Sequence, residues 1–193
     1  MLIQIGRKIA RQLSHFAKAE NGATALEFAM VAFPFILLLG VILESGIVLF
    51  AEYTLQASVQ EASRLVRTGQ AQSGAFSAAD FKTKICKTAG LLFDCAGGVT
   101  VYMASNSNFA TLKAALPNFM DVGVKVDGTP NPTSFVCGGP LQTTAVVATY
   151  DWKLVMPGMN YMGNFNGNTV RRLVGFSMFQ NEPFPSGSTC KAS

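Results

Sequence analysis

A glycine and an acid stand at the entrance to the most apolar part of the chain. Gly22 is followed after four residues by Glu27 and Phe28, and residues 29–50 are then almost entirely apolar. A membrane protease that cuts at a helix entrance must draw extended backbone into its cleft. Glycine has no Cβ, so it allows close approach and resists helix formation. A protease could therefore approach the backbone closely at Gly22, and we consider a cut between Gly22 and Ala23.

Glu27 has two interpretations at this site. Cleavage would remove 22 residues and leave a cationic amine on Ala23, four residues before Glu27. That separation puts the carboxylate on the same helical face as the amine, or opposite the amine of an adjacent subunit. Such a pair is much stronger in a low dielectric than in water. The alternative is an interfacial acid that the helix macrodipole favours near a helix N-terminus.

Cysteine chemistry is confined to the part of the chain after the apolar run. The four cysteines are Cys86, Cys95, Cys137 and Cys190. An even number on one side of a membrane indicates an oxidising compartment and two disulfides, with three connectivities to choose from. We favour Cys86 with Cys95 because that pair closes a short loop, which leaves Cys137 to bind Cys190.

Metal binding is the competing interpretation of the cysteines. The chain has no C-x-x-C pair, and its single histidine, His15, precedes the apolar run. Histidine and closely spaced cysteines are the usual zinc ligands. We therefore expect structural disulfides, no metal and no cofactor.

The same region lacks the residues that nucleophilic catalysis usually requires. Because no histidine follows His15, Ser–His and Cys–His nucleophilic pairs are unavailable there. The carboxylates Asp121 and Asp127 are the remaining enzymatic alternative, although such acids are more often surface residues. We predict that the protein is not an enzyme and has no small-molecule substrate.

The net charge of +4 belongs mainly to the N-terminal leader. Four cations against Glu20 give the first 22 residues +3, and from Ala23 onward 11 basic and 10 acidic residues leave +1. A nucleic-acid-binding domain would carry a concentrated basic patch, so no nucleic-acid partner is expected. By the positive-inside rule the leader stays cytoplasmic and the C-terminal part is translocated to the periplasm.

The element that positions the predicted processing site is an apolar helix. Residues 29–50 number 22 and would span about 33 Å as a helix, enough for a bilayer core. Pro34 is expected to kink the helix. Glu44 falls in the last third of this span, where an interfacial acid and a contact to a partner helix are equally good interpretations.

Apolar spacing continues beyond the membrane. Leu55, Val59, Ala62 and Val66 recur at intervals of four, three and four, and Gly69 is expected to stop the pattern. One long helix over residues 24–68 is therefore predicted. We expect the apolar stripe of its outer half to pack against the protein's own domain.

The region after Gly69 predicts a small domain of mixed helix and strand. Ser77 and Asp80 fit an N-cap with an acid three residues later, which predicts a helix through Lys87. The remaining pattern predicts strands at residues 99–103, 121–127, 143–156 and 169–180, a short helix at 109–116 and a linker at 70–75. The expected fold class is α+β: a long N-terminal transmembrane helix that continues into an extracytoplasmic, disulfide-stabilised domain with an antiparallel sheet.

Two adjacent arginines lie in the last predicted strand. Side chains alternate along a strand, so Arg171 and Arg172 would project to opposite faces. We expect each to be solvated or ion-paired. The aromatic residues of the domain are expected in its core.

The N-terminal third resembles a known family. The pattern GATALEFAMVAFPFILLLGVILESGIVLFAEYTLQASVQEASRLVRTGQAQ, residues 22–72, is similar to the TadE-like minor pseudopilins of the tight-adherence (Tad, or Flp) type IV pilus system. Residues 169–184 resemble the family more weakly. The resemblance implies that Gly22, Ala23, Glu27 and Phe28 form a site cut by a prepilin peptidase, an aspartic protease for which this protein is the substrate.

The resemblance also implies partners and a location. The expected partners are the membrane, the prepilin peptidase, other pilin-like subunits and the Tad pilus assembly machinery. The expected location is the bacterial inner membrane, with incorporation into the pilus as a further alternative.

These expectations divide the chain into three parts. Residues 1–22 form a basic cytoplasmic leader that is cleaved, residues 23–69 form the long helix, and residues 70–193 form the periplasmic head. The protein would then be a minor pseudopilin that takes part in pilus assembly. The alternative is an uncleaved single-pass protein whose periplasmic head binds a ligand or an envelope partner.

Overall fold

The structure is a computed structural model that describes residues 23–90, 92–94, 98–125, 129–131, 133–166, 170–185 and 190. Two compact units, Met1–Leu43 and Glu44–Ser193, divide the chain. The helices are α1 (Ala23–Arg67), α2 (Gln70–Ser73), α3 (Ala78–Ala89) and α4 (Phe109–Ala115), with 3-10 turns at Phe119–Asp121 and Met159–Met162. The strands are β1 (Val99–Asn106), β2 (Thr143–Lys153) and β3 (Val170–Gln180).

The described part of the first unit consists of the N-terminal portion of α1. None of the residues 24–43 is buried, and large apolar side chains are exposed on every side of the helix. Pro34 lies inside the helix. The helix is long and apolar enough to cross a membrane. A helix can do so because it satisfies its backbone hydrogen bonds internally, whereas lipid cannot satisfy them.

The second unit, called the head below, is built on a three-stranded antiparallel sheet in the order β1-β2-β3. Thr143 lies opposite Asn106 on one side and Gln180 on the other. The central strand β2 is buried from Thr143 to Thr149, because both of its edges are paired and both of its faces are covered. The predicted fold class is confirmed: mixed helix and strand, an antiparallel sheet and a disulfide that joins Cys137 to Cys190.

The C-terminal portion of α1 packs on the sheet. Its buried stripe contains Val48, Ala51, Leu55, Val59, Ala62 and Val66, all part of the head's core. At β3 the helix approaches so closely that a Cβ on Gly175 would lie 2.8 Å from Val59 Cγ2. The prediction that this stripe packs against the protein's own domain is confirmed.

Local sequence signals define the helix ends as expected. Gly69, just beyond the end of α1, has φ of 78°, and the ring of Phe184 covers the place where a Cβ would be. Either feature alone favours glycine. The capping box of α3 is present, with the Ser77 hydroxyl accepting from the Asp80 N–H and the Asp80 carboxylate accepting from the Ser77 N–H.

The second predicted disulfide is only half within the described residues. Cys86 on α3 is disulfide-bonded. Cys95 lies outside the described residues, so the pairing of Cys86 with Cys95 stays a prediction.

Two predicted elements are wrong. Residues 70–75 are not a linker, because α2 forms there and buries Ala71 and Gln72 against the head. Residues 121–125 do not form a strand. The Asn118 side chain caps the preceding 3-10 turn, and the described residues after it form only an isolated bridge between Val124 and Pro130.

Candidate functional site

Three of the four residues of the predicted processing site lie in the first described turns of α1. Gly22 is outside the described residues, and α1 begins at Ala23. Glu27 and Phe28 are exposed, and Phe28 keeps 75% of its surface accessible. None of the ion pairs in the described ranges includes Glu27. The structure thus places Ala23 and Glu27 one helical turn apart, with a carboxylate that is available to an external cation.

The helix surface next to this site is apolar all around. Leu26 and Phe33 are exposed to 65% and 69%, and they lie among nine further exposed large apolar side chains before Glu44. A helix that is apolar on all faces is stable against lipid or against other apolar helices. This surface can therefore make two kinds of contact, with a bilayer and with other apolar helices.

Glu44 on α1 binds backbone N–H groups elsewhere in the head. Its Oε1 accepts a hydrogen bond from the Val155 N–H at 2.6 Å, and its Oε2 accepts from the Met156 N–H at 2.8 Å. Neither sequence interpretation of Glu44 included this contact. The two partners lie more than 110 residues further along the chain, so no local sequence signal could have revealed them.

Two further polar side chains fasten α1 to the edge strand β3. The Gln56 amide donates to the Phe176 carbonyl at 2.8 Å and accepts from the Phe176 N–H at 2.9 Å, as a neighbouring strand would do. Glu52 forms an ion pair with Arg171, with 3.4 Å between Oε2 and Nη2. Helix α1 thus covers β3, an edge that could otherwise pair with another chain.

Arg172 holds together the other face of the sheet. Its guanidinium donates to both carboxylate oxygens of Asp151, at 2.6 and 2.7 Å, and also to the carbonyls of Met120 and Val124, both at 2.6 Å. The ring of Phe165 lies 3.4 Å from its central carbon. The predicted ion pairing of the two arginines is confirmed, but Arg172 is buried with a side-chain exposure of only 3%.

The antiparallel register explains the position of Arg172. Asp151 and Arg172 are register partners on β2 and β3, so their side chains lie on the same face. The sequence contained the acid and the base, but it did not contain the register that brings them together. The loop carbonyls that complete the site could be recognised only in the folded head.

In the described part of the head, the contacts above are structural. Within the ranges that the structure describes, no group of three or more His, Cys, Asp or Glu side chains could hold a metal ion. Asp121 lies in a 3-10 turn, and Asp127, its proposed partner, is outside the described residues. Burial raises the pKa of the Tyr102 phenol above its ordinary value of 10.0, so this group is neutral at physiological pH.

An apolar helix of membrane-spanning length that leads into a disulfide-bonded head is the architecture of a protein anchored in a membrane by one helix. The family model TadE, described as TadE-like protein, matches residues 22–64. The resemblance drawn from the sequence is thereby confirmed. The match begins at Gly22 and covers most of α1, and the family is a pilus component rather than an enzyme family.

The family match and the apolar helix together support a pilus-associated membrane protein. No curated protein matches the chain significantly, and no solved structure does.

Proposed function

We propose that this protein is a minor pseudopilin that takes part in the assembly of a tight-adherence pilus after a prepilin peptidase cuts it between Gly22 and Ala23. The observation that carries the proposal is the family match, which starts at Gly22 and follows the apolar helix to residue 64.

Cleavage would make it easier for the helix to leave the bilayer, because it removes the charge of the leader. The first 22 residues carry +3, which favours a cytoplasmic location and resists passage of the N-terminus through the membrane. Cutting after Gly22 removes that charge and leaves a single amine on Ala23. An apolar helix with one terminal charge leaves the bilayer for a fibre more readily than a helix that carries the whole leader.

Glu27 is the proposed partner of the freed amine. A carboxylate next to the apolar run is costly to bring into lipid unless it is paired. Pairing with the Ala23 amine of a neighbouring subunit would offset that cost and fix the relative height of two helices. The exposed apolar residues that surround Glu27 would supply the remaining contact.

Within the head, polar side chains bind residues 44–67 of α1 to the rest of the domain. Glu44, Glu52 and Gln56 each bind the head through a side chain on α1. We propose that the leader faces the cytoplasm and the head faces the periplasm, where its disulfides form. The partners are the peptidase, other pilin-like subunits and the Tad assembly machinery.

The test is the mature N-terminus. The full chain is expressed with its native peptidase, and its intact mass is measured with and without the substitution Gly22→Val. We expect wild-type protein that begins at Ala23 and a variant that keeps Met1, because a β-branched side chain blocks close approach of the backbone. Gly46→Val is the matched control: a Cβ at Gly46 meets no atom within 4 Å, so this variant should be cut normally.

Two outcomes separate the proposal from its alternative. Wild-type protein that retains Met1 in the presence of active peptidase would favour the uncleaved single-pass anchor. Protein that is cut normally but supports pili equally well with Glu27→Gln would contradict the assembly role of Glu27 and leave the processing site intact.

A further inference from the structure

The loop between β2 and β3 has an unusual composition. This segment, residues 154–163 and called the β2–β3 loop below, exposes 80% of Val155 and 72% of Tyr161. No charged residue occurs between Lys153 and Arg171. Connecting loops at a water-facing surface are normally polar, so an uncharged loop with prominent apolar side chains indicates contact with something other than water.

The β2–β3 loop is bound to the turn of α1 at which the head begins. Glu44 accepts hydrogen bonds from the N–H groups of Val155 and Met156. On the next residue, the Ser45 hydroxyl lies 3.4 Å from the Met162 sulfur. Both ends of the loop are therefore held at the level of Glu44 and Ser45 on the helix.

The predicted membrane span and the head overlap at that level. The apolar run of residues 29–50 includes residues 44–50, which belong to the head. In this overlap Val48 is buried in the head's core, while Ile47, Leu49 and Phe50 are exposed. Seven residues rise about 10 Å along a helix, comparable with the interfacial layer on one side of a bilayer.

One helix segment thus packs against the head on one face and presents apolar side chains on its other faces. If those side chains are at the level of the lipid, the head residues bound to the same turn are at that level too. We propose that the β2–β3 loop lies in the interfacial layer of the bilayer, with Val155 and Tyr161 in contact with lipid.

The chemistry of the loop suits this environment. Tyrosine is enriched at membrane interfaces because its ring is apolar and its hydroxyl is polar. Backbone N–H groups are costly to bring towards lipid unless they are hydrogen-bonded, and Glu44 accepts from two of them. Lys153, exposed at the end of β2, can extend its ammonium group to lipid phosphates.

Lipid contact is testable with tryptophan fluorescence. The full chain is placed in phosphatidylcholine vesicles whose acyl chains carry bromine, which quenches nearby tryptophan. Trp152 is the only tryptophan, so Trp152→Phe provides a background to which Val155→Trp or Tyr161→Trp is added. Phe109→Trp is the matched control, since Phe109 is 58% exposed at the opposite end of the sheet.

The loop variants and the control should differ clearly. Insertion into the headgroup and acyl boundary predicts quenching at least about twofold stronger for Val155→Trp and Tyr161→Trp than for Phe109→Trp. Equal quenching at all three positions would overturn the proposal. Protection of the loop positions from both the brominated lipid and aqueous acrylamide would also overturn it, in favour of a protein partner such as a second copy of this chain.

A second measurement avoids the change at Trp152. A photoreactive residue, Val155→p-benzoylphenylalanine, is introduced into the otherwise unchanged chain and irradiated in vesicles. We expect adducts with the mass of one phospholipid, and adducts only with protein would contradict lipid contact. Because the measurement does not depend on cleavage after Gly22, its failure would leave the proposed pilus function untouched.

Discussion

The two portions of helix α1 are both rich in apolar residues, yet they differ completely in burial. Among residues 24–43 no side chain is buried, whereas residues 44–67 contribute a buried stripe from Val48 to Val66 to the head's core. The difference lies in how the apolar residues are arranged around the helix. In the first portion they cover every face, and in the second they alternate with exposed polar residues such as Gln60, Glu61 and Arg64.

This comparison shows how one helix serves two environments. An all-round apolar surface has no preferred side, so it suits lipid or a bundle of similar helices. A stripe has one preferred side, so it determines which face of residues 44–67 packs into the head's core. Changes in the second portion should therefore alter the stability of the head, and matched changes in the first portion should not.

The largest expected effect on the head comes from the disulfide that joins Cys137 to Cys190. The double substitution Cys137→Ser and Cys190→Ser opens a loop with a sequence separation of 53, which should lower the free energy of unfolding by about 4 kcal/mol. Urea unfolding of the full chain in detergent, followed by Trp152 fluorescence, measures this. The helical circular dichroism that persists after the head unfolds should be the same in both proteins, and its loss would contradict the independence of residues 24–43.

A matched pair of leucines compares the two portions directly. Leu55 is fully buried and Leu38 is 57% exposed. Leu55→Ala should destabilise the head by about 2–5 kcal/mol, because it removes buried methyl groups and leaves a cavity. Leu38→Ala should leave the Trp152 unfolding midpoint unchanged. Similar midpoint shifts for both variants would show that the head depends on the first portion after all.

A matched pair of glutamates gives a smaller effect. Glu44→Gln replaces one acceptor oxygen with a donor that faces a backbone N–H, which should cost the head about 1–2 kcal/mol at this partly exposed site. Glu27→Gln should not change head stability, and it should reduce pilus formation if the proposed pairing with an Ala23 amine is right. An unchanged midpoint for Glu44→Gln would show that the contact with Val155 and Met156 is weak in solution.

The smallest effect is expected at the helix–strand contact. Gln56→Ala leaves the Phe176 N–H and C=O without their partner and should cost about 1 kcal/mol. Gln60→Ala, an exposed position one turn further along, is the control and should be neutral. Hydrogen exchange at the Phe176 amide provides a local readout: faster exchange in the Gln56 variant alone is the expected result, and equal rates would contradict the contact.

Much of the head could be predicted because its signals are local. The capping box at Ser77 and Asp80, the stop at Gly69 and the strands at 143–156 and 169–180 depend on neighbouring residues and on β propensity, and all are observed close to their predicted bounds. The expected strand at 121–127 was wrong in its described residues because the chain forms a capped 3-10 turn up to Asp121 and then only an isolated bridge between Val124 and Pro130. The expected linker at 70–75 was wrong because Gln70, Ala71 and Gln72 favour a helical turn and the head buries Ala71 and Gln72.

The candidate processing site is a different case. Gly22, Ala23, Glu27 and Phe28 were recognised as a site through the resemblance to TadE-like proteins, and the family match begins at the same glycine. The cut itself is an encounter with another protein. It therefore stays a prediction that depends on the mass of the mature chain.

By itself the sequence determined the long helix, the apolar stripe, the α+β class of the head and the likeness to TadE-like proteins, because each depends on the order of nearby residues. Only the tertiary structure decided the partners of Glu44, Gln56 and Arg172. Those partners are brought together by strand register and helix packing across separations of up to about 120 residues. Physical proximity of that kind is a property of the whole fold, and no window of sequence contains it.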